Sequence, residues 1–441
     1  VPLDDRELEG NMTYPPTFLL VCITMLAGMT IPRSGTKIGD VPITVPFLLY
    51  MLMLIYRPMR SMSFKLRQRS LHEDLAVYGI LGYFVVGLFS ICIGILKSWA
   101  TRSILIEASA LVGFVPFFFL VRESIRTPQA LRAMVRIVIC AVALVSMYGI
   151  VQRVFGAYNV MVPGVTICYA DAQIPNVFAS KSNVTILGLK LVSTFQNGNL
   201  YGNFLTLTLP LCMAMAMVAK GRRRWIYGAV FLLASANLMM TLSRGAILSG
   251  IVGIWLVVLM LPITRTSFAI TVTFPILAGL LLRILSLGER LLAFDPTAAG
   301  RIPAYEQLLR IYSDLPAAAL VSTLSVGTGM GGIVGSLGSG MPSVESSLGI
   351  ILMKMGLPGL FSFLLGIYGV TRLAVRRRSP LTEENAIACG LAAGIIGACL
   401  HFTIDSIIMY PPTAMNFWAA AALAVAASTI ALDMEFKAQR H

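Results

Sequence analysis

The chain has 441 residues, of which 57% are hydrophobic and only 12% charged. Soluble domains carry about 25% charged residues, so this composition excludes a water-facing globule. The formal net charge of +14 does not point to nucleic acid, because the basic residues fall in short segments between apolar blocks, the positive-inside arrangement of membrane proteins.

The apolar blocks run to about 17–25 residues, long enough to cross a hydrocarbon core of about 30 Å. In chain order they predict membrane spans at 17–31, 42–56, 75–96, 103–121, 133–154, 200–219, 225–243, 245–262, 267–287, 346–371, 386–406 and 414–432. The expected fold is therefore an all-α polytopic bundle of about twelve transmembrane helices, a single integral membrane domain over 1–441. The acidic start, VPLDDRELEGN, argues against a cleavable signal peptide and for insertion through the first span.

Basic residues follow every second span: Arg57 to Arg69, Arg122 to Arg132, Lys220 to Arg224, Arg265, and Arg372 to Arg378. This bias places those loops and both termini in the cytoplasm. Two long connections, 155–199 and 288–345, then face the other side, and loops of such length are functional or disordered. The larger one begins with an amphipathic stretch, Arg301 to Tyr312, that puts Tyr305, Leu308, Leu309 and Tyr312 on one face. A glycine-rich run, GTGMGGIVGSLGSGMPS, comes next; it has no Gly-Lys-Ser/Thr and is not a nucleotide loop. Of the seven cysteines, Cys168 lies in a loop and the other six inside apolar blocks, where they serve as small hydrophobes. Neither a disulfide framework nor a metal centre is expected.

Four local patterns have a chemical and a purely structural reading. Arg244, in Thr241-Leu-Ser-Arg-Gly-Ala-Ile-Leu248, either snorkels to the headgroups or grips phosphate oxygens with its guanidinium. Arg301, after Gly300, is either solvated or part of an anion site at a helix start. In Ser343-Val-Glu345-Ser-Ser, Ser343 reads as an N-cap with Glu345 in the first turn; alternatively Glu345 is a general base. Phe195-Gln-Asn197-Gly-Asn199-Leu-Tyr201-Gly202 is a turn into a helix, or its amides and Tyr201 bind sugar hydroxyls. His401 and Asp405, one turn apart inside an apolar block, form a weaker pair.

Taken in order, these pieces resemble the O-antigen ligase and O-antigen polymerase superfamily of bacterial membrane glycosyltransferases. The matching features are Asn197-Gly-Asn199, then Ser-Arg244-Gly-Ala-Ile-Leu248, then Gly300-Arg301 opening the large loop, and last Glu345 with Gly356 eleven positions on. Where ligases resemble one another in a His followed by Asn, this chain has Glu345-Ser346, which favours a polymerase relative. The resemblance implies a GT-C-like bundle in the bacterial inner membrane, with its active site and large loop facing the periplasm. It implies inverting transfer of glycan from undecaprenyl diphosphate to a glycan acceptor, with membrane lipids around the carrier. Glu345 would be the base, and Arg244 and Arg301 would neutralise the departing diphosphate. Asn197, Asn199, Tyr201, Tyr305 and Arg310 would bind substrate. No metal or other cofactor is implied, and the family admits a chain-length regulator as a protein partner. Two other readings remain: a ligase that passes finished glycan to lipid A core or another acceptor, and a transporter or flippase for the same lipids.

Overall fold

Prolines and short polar side chains punctuate the apolar sequence, and helices begin at them. The computed structural model describes residues 15–38, 41–56, 71–174, 184–185, 188–261, 313, 316–331, 346–375 and 382–439. Its principal helices are α1 (Pro16–Thr30), α2 (Val45–Tyr56), α3 (Leu71–Leu96), α4 (Thr101–Leu111), α5 (Val115–Ser124) and α6 (Pro128–Phe155). They continue with the single turn α7 (Tyr169–Ala172), then α8 (Gly198–Val218), α9 (Gly221–Met240), α10 (Arg244–Met260) and α11 (Ala317–Val326). The chain closes with α12 (Ser347–Val375), α13 (Glu383–Ile404) and α14 (Pro411–Gln439). Two short antiparallel hairpins lie in connections: β1 (Gly35–Ile38) with β2 (Val41–Thr44), and β3 (Val184–Thr185) with β4 (Gly188–Leu189).

The caps follow from the sequence. Thr127 accepts a hydrogen bond from Ala130 N ahead of Pro128, and Thr382 accepts one from Asn385 N. Each satisfies a backbone donor that the first helical turn leaves open.

Among the described residues, seven segments are long and apolar enough to cross a membrane, and the chain is a polytopic helical membrane protein. Large apolar side chains such as Ile55, Leu96 and Leu232 are more than half exposed, which suits a surface solvated by lipid. The predicted span at 267–287, the arginines between 57 and 69, Arg265, and those at 376–378 lie outside the described residues. The remaining predicted spans overlap helices, with two differences. The second, 42–56, opens with the strand β2, and its helix α2 begins only at Val45. The fourth is broken into α4 and α5 at Val112–Phe114, because Pro116 has no N–H to continue the ladder.

The helices are arranged around α14, whose spanning window is 89% buried; α8 (83%) and α13 (72%) flank it, while α3 (33%) is peripheral. Glycines let α13 approach its neighbours closely. A β-carbon on Gly390 would stand 2.8 Å from Leu211 Cα, and one on Gly397 would stand 2.9 Å from Ser249 O. Small residues at such crossings are how helices associate where lipid offers no hydrophobic driving force. At the end where α13 begins, Arg132 bridges Glu383 (3.2 Å) and Glu384 (3.0 Å), which ties α6 to α13.

The helix α12 is broken at Gly356, which has φ 65° and ψ −169°. A side chain there would be strained by the positive φ and would meet Leu324 O at 2.8 Å and Gly327 N at 2.9 Å. The carbonyls freed by the break are satisfied by protein, as membrane burial demands: Met353 O accepts from Thr328 N (2.8 Å) and Lys354 O from Gly329 N (3.2 Å). The large connection thus sends α11 and the turn 327–331 back against the bundle. We expect Gly356→Ala to destabilise the folded protein by about 1–3 kcal/mol, the cost of a residue held in a sparsely populated backbone region. Thermal melting in detergent reads this directly, and an unchanged midpoint would refute the account of the break.

Candidate active site

The starts of α8, α10, α12 and α14 and the ends of α9 and α13 meet at one end of the bundle. A β-carbon on Gly198 would stand 2.8 Å from Thr241 O, and one on Gly245 would stand 2.8 Å from His401 Cδ2. Ser347 N donates to Asp405 O at 3.1 Å. The four helix N-termini bring positive partial charge to this region, and the ends of α9 and α13 bring negative partial charge.

Asp405 is the junction. It is the C-cap of α13, and its extended backbone turns the chain towards α14. Its carboxylate accepts from Asn199 Nδ2 at 2.5 Å and from Ser406 N at 2.9 Å. Its carbonyl accepts from Ser347 Oγ at 2.7 Å as well as from Ser347 N. His401 Nε2 lies 3.9 Å from the carboxylate, one turn back along α13. Lys190 Nζ donates to Asn199 Oδ1 at 3.1 Å, so a lysine, an amide, a carboxylate and an imidazole form one polar chain. Burial first, and then the negative charge of Asp405, push the Tyr410 phenol above its ordinary pKa.

Asn197 caps α8, its Oδ1 accepting from Leu200 N at 2.9 Å, and Asn199 turns its side chain into the polar chain. Tyr201 is fully buried; its hydroxyl donates to Asn237 Oδ1 at 3.0 Å and its ring stacks on Phe195. It supports the turn from beneath and does not line an open surface. Arg244 is the first residue of α10 and is half-buried. The preceding Ser243 makes no side-chain cap, and a guanidinium beside a helix start is an arrangement suited to an anion. Leu242 has φ 51°, an unusual conformation for a bulky residue that clusters at functional sites.

Glu345, Arg301, Tyr305 and Arg310 lie outside the described residues. The residue after Glu345 is well placed. The N-cap of α12 is Ser346, whose Oγ accepts from Gly349 N at 3.1 Å; Ser343, read from the sequence as a cap, lies outside the described residues. Ser346 Oγ also reaches Phe402 O at 3.4 Å, so Ser346 is held against the end of α13. Lys190 is absent from the sequence-based candidates: a lone lysine in a loop gives no local signal.

The first long connection packs onto the same end. Arg33 pairs with Asp171 at 3.0 Å, with side chains only 10% and 13% exposed, and reaches Phe195 O at 3.5 Å. Burial lowers the Arg33 pKa, and the Asp171 carboxylate opposes that shift. Removing the guanidinium with Arg33→Met is expected to cost about 1–3 kcal/mol of local stability. Faster amide exchange in residues 166–174 and 192–196 reports it, whereas unchanged exchange would show that the pair carries no weight.

Comparison of the chain with protein-family models, characterised proteins and solved structures gave no match. Fold and site together define a polytopic helical membrane protein with a polar site at one end of its bundle.

Proposed function

We propose that this chain is a bacterial inner-membrane glycosyltransferase that polymerises lipid-linked oligosaccharide repeat units at the periplasmic face. In this reading it is a GT-C-like bundle of about twelve spans. The observation that supports it is convergence: Asn199, Arg244, Ser346 and the His401–Asp405 pair, far apart in sequence, sit on helix ends that pack together. Three of these lie in the motifs through which the chain resembles the O-antigen polymerase and ligase superfamily.

The reaction is an inverting transfer from undecaprenyl diphosphate. The acceptor hydroxyl oxygen attacks the anomeric carbon while Glu345 takes its proton. The bond from that carbon to the diphosphate oxygen breaks, and its electron pair leaves with the diphosphate. Arg244, the start of α10 and Arg301 neutralise that charge, as donors aimed at developing charge do in a water-poor site. The leaving group is already activated, so a base contribution of about 10²–10⁴ suffices. Asp405 and Lys190 orient Asn199 towards the glycan.

The surface glycans of a deletion strain test this reading. Carriers bearing single repeat units, restored to a ladder by the gene, support a polymerase. Accumulated long lipid-linked glycan with none on the final acceptor would reassign the chain as a ligase, and an unchanged glycan profile would remove it from this pathway.

A further inference from the structure

Away from the polar site, the helices enclose a charged pair. Lys354 Nζ of α12 lies 2.9 Å from Glu107 Oε1 of α4, with side chains 5% and 6% exposed. Ionisable groups at such depth are costly and mark function by default.

The surroundings show what the pair holds. The second carboxylate oxygen of Glu107 accepts from Gly331 N at 2.6 Å. Ser90 Oγ donates to Lys354 O at 2.7 Å, and Met330 N donates to Ser90 O at 3.0 Å. With the bonds from Thr328 and Gly329 to the broken stretch of α12, the turn 327–331 is clamped between α3, α4 and α12. The break at Gly356 separates residues 347–355 from the rest of α12. This half-helix is fastened at both ends. Ser347 at its start is bonded to Asp405, and Lys354 at its far end is paired with Glu107.

We propose that Lys354 and Glu107 are positioning residues for transfer: their pairing fixes the half-helix 347–355 so that its start stays bonded to Asp405 in the active site. The proposal rests on the glycosyl-transfer reading above. Neither residue touches substrate; both act through the half-helix and the turn.

The test joins a labelling measurement, independent of activity, to kinetics on the full-length protein in liposomes. Met330 is fully buried in the clamped turn, so Met330→Cys, in a background with the exposed Cys92 and Cys140 replaced by serine, reports whether the clamp is shut. With the pair intact the thiol is protected from a membrane-impermeant maleimide; with Lys354→Met it becomes labelled. Turnover in Lys354→Met, without the reporter, falls about 10²-fold, as a misplacement of about 1 Å produces, while KM for a polyprenyl-diphosphate oligosaccharide stays within about twofold. Lys354→Arg restores both protection and turnover. The double variant Lys354→Met with Glu107→Gln leaves no unpaired charge and keeps an acceptor for Gly331 N; it folds, yet stays slow. A thiol that remains protected in Lys354→Met, or one that opens with no loss of turnover, overturns the proposal. So does full turnover in the double variant. If the parent itself transfers no glycan, the functional reading fails, and positioning for transfer falls with it even where the labelling shows a clamp.

Discussion

Replacing Arg244 with alanine is expected to lower glycan transfer about 10²–10³-fold, or ~2.7–4 kcal/mol of barrier, the usual loss when one donor to a developing charge is removed. Arg244 stands in the first turn of α10, where the helix dipole disfavours a cation. It is half-buried and follows a serine that does not cap the helix. In the proposed reading its guanidinium serves chiefly an incoming diphosphate. The protein should therefore keep its melting temperature while losing turnover. Arg244→Lys is expected to recover only part of the rate, because an ammonium is a point charge and cannot grip two oxygens in a plane. Full product from Arg244→Ala at normal expression would leave this arginine as an anchor at the headgroups.

Glu345→Gln is expected to reduce turnover about 10²–10⁴-fold, the contribution of a general base, with stability unchanged. Asp405→Asn supplies the contrast. The Asp405 carboxylate accepts from Asn199 and Ser406 N, and its backbone joins α13 to α12. Weakening this junction is expected to cost about 1–3 kcal/mol of stability alongside any loss of rate. The two variants thus separate by melting temperature as well as by turnover. If Glu345→Gln stays active while Asp405→Asn loses turnover at unchanged stability, the base is Asp405 and the proton assignment must move.

Much of the fold is legible in the sequence because a bilayer makes hydrophobic length a direct readout of spans. The predicted spans 75–96 and 200–219 end within a residue of α3 and α8, whereas α6 starts at Pro128, ahead of the predicted 133, because the cap at Thr127 carries the helix through polar residues before the apolar run. The break between α4 and α5 escapes such a reading because hydropathy stays high across Val112–Phe114 and only Pro116 marks it. The sequence reading takes Ser343 as a cap because Glu345 would then fall in the first turn; the hydrogen bonds of Ser346 with Phe402 and Gly349 show that Ser346 caps α12.

The described candidates can be picked out one by one in the sequence, but their connections cannot. Asn199 and Asp405 are 206 residues apart, and nothing local pairs them or brings in Lys190. Tyr201 has the composition of a sugar-binding residue, and only burial shows that it works beneath the turn. Glu107 and Lys354 each interrupt an apolar run, and an intramembrane charge could have flagged both; that each answers the other needed the fold.

The central claim is tested most directly by the purified full-length protein in liposomes, supplied with labelled undecaprenyl-diphosphate-linked repeat units and no other protein. The account predicts a ladder of lengthening lipid-linked glycan with release of undecaprenyl diphosphate, abolished by Arg244→Ala. Repeat units that remain single, with a correctly folded protein and no diphosphate released, would contradict it.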